Sequence, residues 1–263
     1  MPSFVATGLV AFAGLALPWL ALSALGLAVE RIAPAEPRQP ARAILLNLHY
    51  TMLFAFLEAV AGPLIGTISL LLVGALGGGL IVLPDQGWAQ IGSLIVFLCA
   101  MDFAEYAFHR AQHASRFLWA LHSLHHSDTA LNVTTTFRHH WLDIVLKGVI
   151  VYPCVALIFK AGTETILVYN IISYWSYFGH ANLRISLGPF WAVVNSPPYH
   201  RLHHSVLPLH RDRNFAALLP LWDVLFGTCR RPMPGECPPT GLADGAAPAT
   251  SLAMLTWPLA PRP

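Results

Sequence analysis

The sequence predicts an all-α protein: a polytopic membrane helical bundle with a histidine-rich helical cap on its cytosolic side. Three observations predict it. Apolar types make up 56% of the 263 residues and charged types only 11%, whereas a soluble domain is about a quarter charged. The apolar residues gather into runs near the roughly 20 residues that cross a bilayer as a helix. Twelve of the 13 histidines fall between His109 and His210, just beyond the first three apolar runs. The formal charge of +2 and the lack of any Lys/Arg run argue against a nucleic-acid partner.

The first run, residues 4–29, is closed by Glu30, Arg31 and Pro34, and nothing basic precedes Arg31. A cleavable signal carries an apolar stretch of about 7–15 residues behind a basic start, so this longer run is expected to be a retained span. A polar loop with Arg31, Arg38 and Arg42 follows. Residues 44–83 end in GALGGGL and Pro84-Asp85, and they are too long for one straight helix. They fit either a long tilted helix with a glycine-rich end or a helix plus a re-entrant piece. Residues 88–108 are the third span and stop at the first histidine of the cluster. Residues 144–159 and 164–179, split by Lys160-Ala161-Gly162, read as a helical hairpin that partly crosses.

From Pro232 the chain is rich in proline and small residues, with Leu252–Leu259 a candidate for membrane contact. The expected division is a transmembrane region of about three spans over 1–108, a histidine-box catalytic region over 109–230 that includes the 144–179 hairpin, and an irregular tail over 231–263. On this path every Lys and Arg except Lys160 lies on one side, which the positive-inside rule makes cytoplasmic. Cys99, Cys154, Cys229 and Cys237 form no C-x-x-C pair and are read as ordinary thiols.

The histidines are patterned as His109-x3-His113, His122-x2-His125-His126 and His200-x2-His203-His204. Positions i, i+3 and i+4 share a helix face, so each group is expected to project into one small volume. Eight imidazoles from three helices exceed the about four to six ligands of one transition ion and suggest two. Neutral imidazole accepts Zn, Fe, Cu and Ni alike, so these residues do not name the metal. A lone boundary histidine is more often a hydrogen-bonded structural residue. His49 and His210 are read that way, while His139 and His140 stand open between the two roles.

Asp102, Glu105 and His109 share one face, and a carboxylate one turn below a ligand can hold its second ring nitrogen. Pairing with Arg110 or Arg116 is the alternative. Tyr106 on the same face is a further candidate hydrogen-bond donor. Glu58 is either substrate-facing or buried against a neighbour. Aromatic residues around the boxes, among them Phe103, Phe137, Trp141 and Trp191, either line a substrate slot or belt the interface.

The segments D-F-A-E-Y-A-F-H-R-A-Q-H, L-W-A-L-H-S-L-H-H-S, L-N-V-T-T-T-F-R-H-H, H-A-N, P-P-Y-H-R-L-H-H and D-V-L-F-G-T run from Asp102 to Thr228. In order and spacing they resemble the fatty acid hydroxylase / sterol desaturase superfamily. The resemblance implies an integral, multi-pass membrane oxygenase with a histidine-bound pair of iron ions on the cytoplasmic side. Such an enzyme hydroxylates or desaturates an unactivated C–H bond of a lipid (a fatty acyl chain, a sterol or a related molecule), using O2 and two electrons. Zinc is the other occupant a purified sample admits.

The ligands carried over are His109, His113, His122, His125, His126, His200, His203 and His204, which are also the catalytic set. His180 in H-A-N is the additional family ligand. His140 matches a family R-x-H position near the metals. The chain departs from the family at His140-Trp141-Leu142-Asp143, where Pro-x-Glu often follows the histidine, and at Asn214-Phe215-Ala216 in place of Asn-Tyr-Gly; the ligand set is left intact. No cytochrome b5-like segment is visible, so a separate ferredoxin- or cytochrome b5-like donor with its reductase is expected.

The chemistry agrees with a redox site. An alkyl C–H bond has neither an acidic proton nor a leaving group, so a redox metal must activate O2. A zinc-dependent membrane hydrolase is the first alternative, but it would need a water-activating carboxylate as in H-E-x-x-H, where this chain has Arg110 and Gln112. A non-enzymatic membrane metal-binding or transport protein would place its ligands mid-span. Bis-histidine haem would need paired rather than tripled histidines.

Overall fold

The computed structural model describes residues 2–160 and 162–257. Ala161 in the expected hairpin turn and residues 258–263 of the expected tail lie outside the described residues. Among the described residues the protein is helical and has no β-strand. Helix α1 (Pro2–Glu30), α2 (Ala41–Ala75) and α3 (Gly87–Ala114) are the three whose apolar stretches are long enough to cross a membrane. Their outward residues are apolar, as Leu17, Leu64, Leu70, Leu71, Ile91 and Ile95 illustrate.

Helix α2 resolves the over-long second run. Its 35 residues rise about 52 Å at 1.5 Å per residue, well beyond the ~30 Å hydrocarbon core. The excess lies at its start, where Asn47, Tyr50 and Thr51 are buried in the cap. The far end is a glycine-rich turn that follows Ala75. Gly77 and Gly79 take positive φ (69° and 77°), a conformation open to glycine. The Gly79 amide then donates to the Ala156 carbonyl at 2.9 Å, the Ile81 amide to the Ile158 carbonyl at 2.8 Å and the Lys160 amide to the Ile81 carbonyl at 2.9 Å.

Helix α4 (Arg116–His126) follows α3 after Ser115, whose hydroxyl accepts from the Leu118 amide as an N-cap should. A 3-10 turn over Val133–Phe137 carries a capping box between Asn132 and Thr135. Helix α5 (Leu142–Leu146), a π-helical turn over Lys147–Val151 and α6 (Tyr152–Ile158) run on as one rod. Helix α7 (Thr163–His180) returns antiparallel to it. Short helices α8 (Pro197–His203), α9 (Leu221–Leu225) and α10 (Ser251–Leu255) complete the cap.

Two apolar clusters join the layers. Phe97 and Met101 of α3 meet Val155, Phe159, Val168 and Ile172 of the hairpin. Tyr50 and Phe54 of α2 meet Leu124 of α4 together with Met254 and Trp257. The tail is therefore structured where it touches the cap: Met254 is wholly buried and the Trp257 indole donates to Ser123 Oγ at 2.9 Å. Of the residues expected at the membrane, Leu252 remains exposed.

Buried polar groups tie helix ends to loops. One Glu30 oxygen accepts from the amides of both Val133 and Asn182 at 2.8 Å, closing α1 onto the 3-10 turn and the end of α7. Arg138 donates to Leu124 O, Ser127 Oγ and Asn47 Oδ1, while Asn47 donates to Asp128 Oδ2 at 2.7 Å. Buried charges survive only when satisfied in this way.

Glu30→Leu leaves two buried amides unpaired and is expected to destabilise the fold by about 2–4 kcal/mol, read as a lower midpoint in thermal unfolding. Gly148 of the π turn lies against Ile65 of α2 so closely that a Cβ would meet the Ile65 side chain. Gly148→Ala should therefore also lower the midpoint, and Ile65→Ala in the same chain should restore part of the loss.

Candidate metal centre

Nine imidazoles meet beneath the cap. Helix α3 supplies His109 and His113, α4 supplies His122, His125 and His126, and the last residue of α7 is His180. Helix α8, started by Pro197 and Pro198, supplies His200 and His203, with His204 as its C-cap. His109 and His113 are half-buried and the other seven are buried.

They form two groups. His109, His113, His122, His126 and His203 make the first, and His125, His180, His200 and His204 the second. Within each, one nitrogen per ring lies within 4.8 Å of all the others. The i, i+3, i+4 triplets do not each serve one volume, contrary to the expectation from spacing. In α4 the outer pair, His122 and His126, faces the first group and the middle His125 the second. In α8 the outer pair, His200 and His204, faces the second group and the middle His203 the first. Each short helix lies between the two centres, so its i+3 ring leaves the line of its i and i+4 rings.

The donor atoms fit a metal. Nε2 atoms of His109 and His122 are 3.0 Å apart, and those of His125, His180, His200 and His204 follow one another at 3.0–3.1 Å. The Nε2 atoms of His113, His126 and His203 are buried without any protein partner. Orphaned polar atoms are costly in an interior, and a cation between them satisfies them together. Neutral nitrogen donors in sets of five and four suit a first-row transition ion.

Three second nitrogens of the first group are aimed by one strap, residues 211–216. His109 Nδ1 donates to the Phe215 carbonyl at 2.7 Å, His203 Nδ1 to the Arg213 carbonyl at 2.8 Å, and His113 Nδ1 meets Asp212 Oδ1 at 3.2 Å. This fixes the tautomer and turns Nε2 inward. Asp212 and Asn214 take left-handed φ of 55° and 60°, which aspartate and asparagine tolerate best after glycine. The Asn214 side chain holds the Tyr199 and Arg230 carbonyls and the Arg230 amide. Asp223 accepts from the amides of Phe215 and Ala216, from Thr228 Oγ1 and from the Tyr199 hydroxyl beside His200. In the second group His180 Nδ1 donates to the Ser176 carbonyl at 2.7 Å.

The carboxylates of α3 do something else. Asp102 accepts from the amides of Leu218 and Leu219 and from the Trp222 indole. Seven residues separate it from His109, about 10 Å of helical rise, which puts the imidazole out of reach. Glu105 is one turn away but accepts from Lys147 Nζ at 2.7 Å; the ammonium is the stronger partner. Tyr106 pairs with Thr228 Oγ1 at 3.0 Å instead of a histidine.

His139, and not His140, touches the ligands: its ring stacks on His125 at 4.2 Å and 11°, with Nδ1 3.5 Å from Asp143. His140 Nδ1 accepts from the Leu142 amide. His49 pairs with Ser251, and His210 with Ser205 and Glu236, in structural roles.

A cavity of about 600 Å³ runs along α2 from Phe54 to Val73, walled by α3, α6 and α7. A smaller one of about 90 Å³ reaches His109, His122, His125, His180 and His200. Glu105, His139, Lys147, Ser176 and Ala217 line both. Phe137 is the one expected aromatic in the larger wall, and Phe103 packs on Trp222 and Phe226 instead. Glu58 lines the large cavity.

Burial, followed by repulsion from neighbouring imidazoles, holds His122, His125, His126, His200, His203 and His204 well below the ordinary histidine value of 6.5. They are neutral at pH 7. The unfolded chain takes up protons below 6.5 where the folded one does not, so the metal-free fold is expected to be fully stable above 6.5 and to weaken as pH falls below it. A midpoint against pH series on chelator-treated protein checks this. Asp223→Ala unpairs two amides and frees the strap. It should cost about 3 kcal/mol and weaken metal retention, with Asp223→Asn intermediate in both.

The family described as fatty acid hydroxylase matches residues 94–228, a stretch that contains all nine histidines. Over 150 residues the chain is 33% identical to alkylglycerol monooxygenase of Xenopus tropicalis, covering 57% of this chain and 32% of that protein. The Homo sapiens alkylglycerol monooxygenase is 32% identical over 144 residues, 55% of this chain and 31% of its own length. The ornithine lipid hydroxylase OlsE of Rhizobium tropici is 29% identical over 149 residues, 57% of this chain and 45% of its own. The matched segment thus spans less than half of each relative. No solved structure matches.

Proposed function

Since the chain belongs to the fatty acid hydroxylase family, we propose that it is a multi-pass membrane oxygenase acting on an unactivated C–H bond of a lipid, with hydroxylation the outcome and a pair of iron ions as cofactor. The reading is carried by one observation: two interleaved histidine groups of five and four, each with converging ring nitrogens. The names of the similar proteins, a monooxygenase and a lipid hydroxylase, support lipid oxidation.

His109, His113, His122, His126 and His203 would hold one ion, and His125, His180, His200 and His204 the other. Bound iron supplies the one-electron and O2 chemistry that no side chain possesses. The residues of the chain do the rest. The strap and Ser176 hold the tautomers of His109, His203 and His180. Apolar walls from α2, α3, α6 and α7 admit an alkyl chain and exclude water, which protects a reactive site from side reactions. A cavity of about 600 Å³ lies within the usual range for a small-molecule site.

In this reading residues 1–108 form the transmembrane region, 109–230 the catalytic region and 231–263 the C-terminal tail, in which Met254 and Trp257 pack against the cap. The cap faces the cytoplasm, which supplies electrons through a separate ferredoxin- or cytochrome b5-like donor and its reductase, and O2 is the co-substrate.

Purified protein is expected to carry about two iron ions per chain and no Soret band. His203→Ala should lower the metal content of the first group and His180→Ala that of the second, and each should abolish oxidation. Lipid extracts from cells with and without the protein should differ by one added oxygen in one lipid class. Active protein without metal, or zinc with lipid hydrolysis, overturns the proposal.

A further inference from the structure

The large cavity is not uniform along its length. Its outer part, between Ile65 and Val73 of α2 and Ala156 and Phe159 at the end of α6, carries no ionisable side chain. Its inner part carries Glu58, Glu105, His139, Asp143 and Lys147, and three of these also line the small cavity beside the histidines. The polar end of the slot is therefore the metal end. From Phe54 to Val73 the wall extends about 28 Å at helical rise, room for a long extended alkyl chain lying along α2.

At the junction sits one ion pair. Lys147 Nζ donates to Glu105 Oε2 at 2.7 Å, and the two side chains keep 30% and 11% of their surface accessible, open to the cavities they line. An ammonium has three donors and a carboxylate several acceptor sites, so the pair can both donate to and accept from a ligand. Lys147 opens the π-helical turn, a distortion found frequently at functional sites. Gly148 beside it lets the turn press against α2.

A methyl end brought to this junction would desolvate a charged pair and return no hydrogen bond. A polar head would replace the lost water. Among the side chains that line the inner end, three carboxylates face one ammonium, a balance that by itself disfavours an anion.

We propose that the Lys147–Glu105 pair anchors a neutral, hydrogen-bonding lipid head (a hydroxyl, ether or amide) with the alkyl chain running outward along α2, so that the carbon attacked is close to the head and not at the chain end. This rests on the oxygenase reading above and names its substrate class. In the reaction one C–H bond becomes C–O–H; the second oxygen atom of O2 leaves as water with two protons and two electrons from the donor. Lys147 is a positioning residue here, and it orients the substrate without taking part in bond cleavage.

Binding tests the proposal without turnover. Full-length protein in detergent is titrated with 1-hexadecanol and with palmitate, and affinity is read from intrinsic tryptophan fluorescence. The wild type should bind 1-hexadecanol about tenfold or more tightly than palmitate. Glu105→Gln removes one of the three carboxylates and the direct partner of the ammonium, and should narrow that preference. Lys147→Met should lose about tenfold for 1-hexadecanol, and Lys147→Arg should regain most of it.

Equal affinity of the wild type for both probes, or an unchanged preference in Glu105→Gln, overturns the anchor. If Glu105→Gln does not fold, Lys147→Met against Lys147→Arg decides, and unchanged binding in Lys147→Met overturns it too. Fragmentation mass spectrometry of the oxidised lipid should place oxygen within the first few carbons of the head, and oxygen at the chain end overturns the orientation. Head-selective binding by a protein that never oxidises lipid would count against the oxygenase alone.

Discussion

The cap is organised around nine imidazoles whose ring nitrogens converge in two groups. Either nitrogen of a neutral imidazole can carry the proton, and the partner of one nitrogen decides the role of the other. For three of the nine that partner is a backbone carbonyl: that of Phe215 for His109, that of Arg213 for His203 and that of Ser176 for His180. With Nδ1 engaged, Nε2 must point to the centre. The carbonyls face the right way because Asp212 and Asn214 bend the strap through left-handed φ and Asp223 ties its amides down. The centre is thus held by a hierarchy in which one buried aspartate sets a strap, the strap sets the rings, and the rings set where a cation can sit.

The spans serve the same end. Helix α3 is a membrane helix by composition, yet its last turns carry two of the rings. Helix α2 begins inside the cap and ends at the far margin of the apolar cavity. In the function proposed above, the centre meets water-borne electrons and membrane-borne carbon, which places it where such helices would leave a bilayer, and long continuous helices are the rigid way to build it.

Much of this was legible in the sequence, and the reasons differ by element. Hydropathy located α1, α2 and α3 because nothing but length and apolarity defines a span. Histidine spacing located eight of the nine rings because it repeats with the helical period, and His180 came from the resemblance at H-A-N. The same spacing misled on how the triplets are shared, since periodicity gives a face but not what the face looks at. Asp102 and Glu105 were placed beside His109 by face alone. Amides of Leu218 and Leu219 and the ammonium of Lys147 come from more than forty residues away, and no local pattern announces them. The strap was visible only as the odd tripeptide Asn214-Phe215-Ala216, because a carbonyl acceptor leaves no mark on residue identity. Asp223, which anchors the strap, lies within the quoted D-V-L-F-G-T segment, yet nothing there states its four partners.

The crossed allegiance of α4 and α8 has a consequence for how such a centre can change. Each short helix is stitched to both nuclei, as a shared rung is to two rails. Removing or re-aiming either helix strips donors from both at once, so the pair cannot be pared down to a single working nucleus by losing one element. Two donor groups woven in this manner are kept together or lost together.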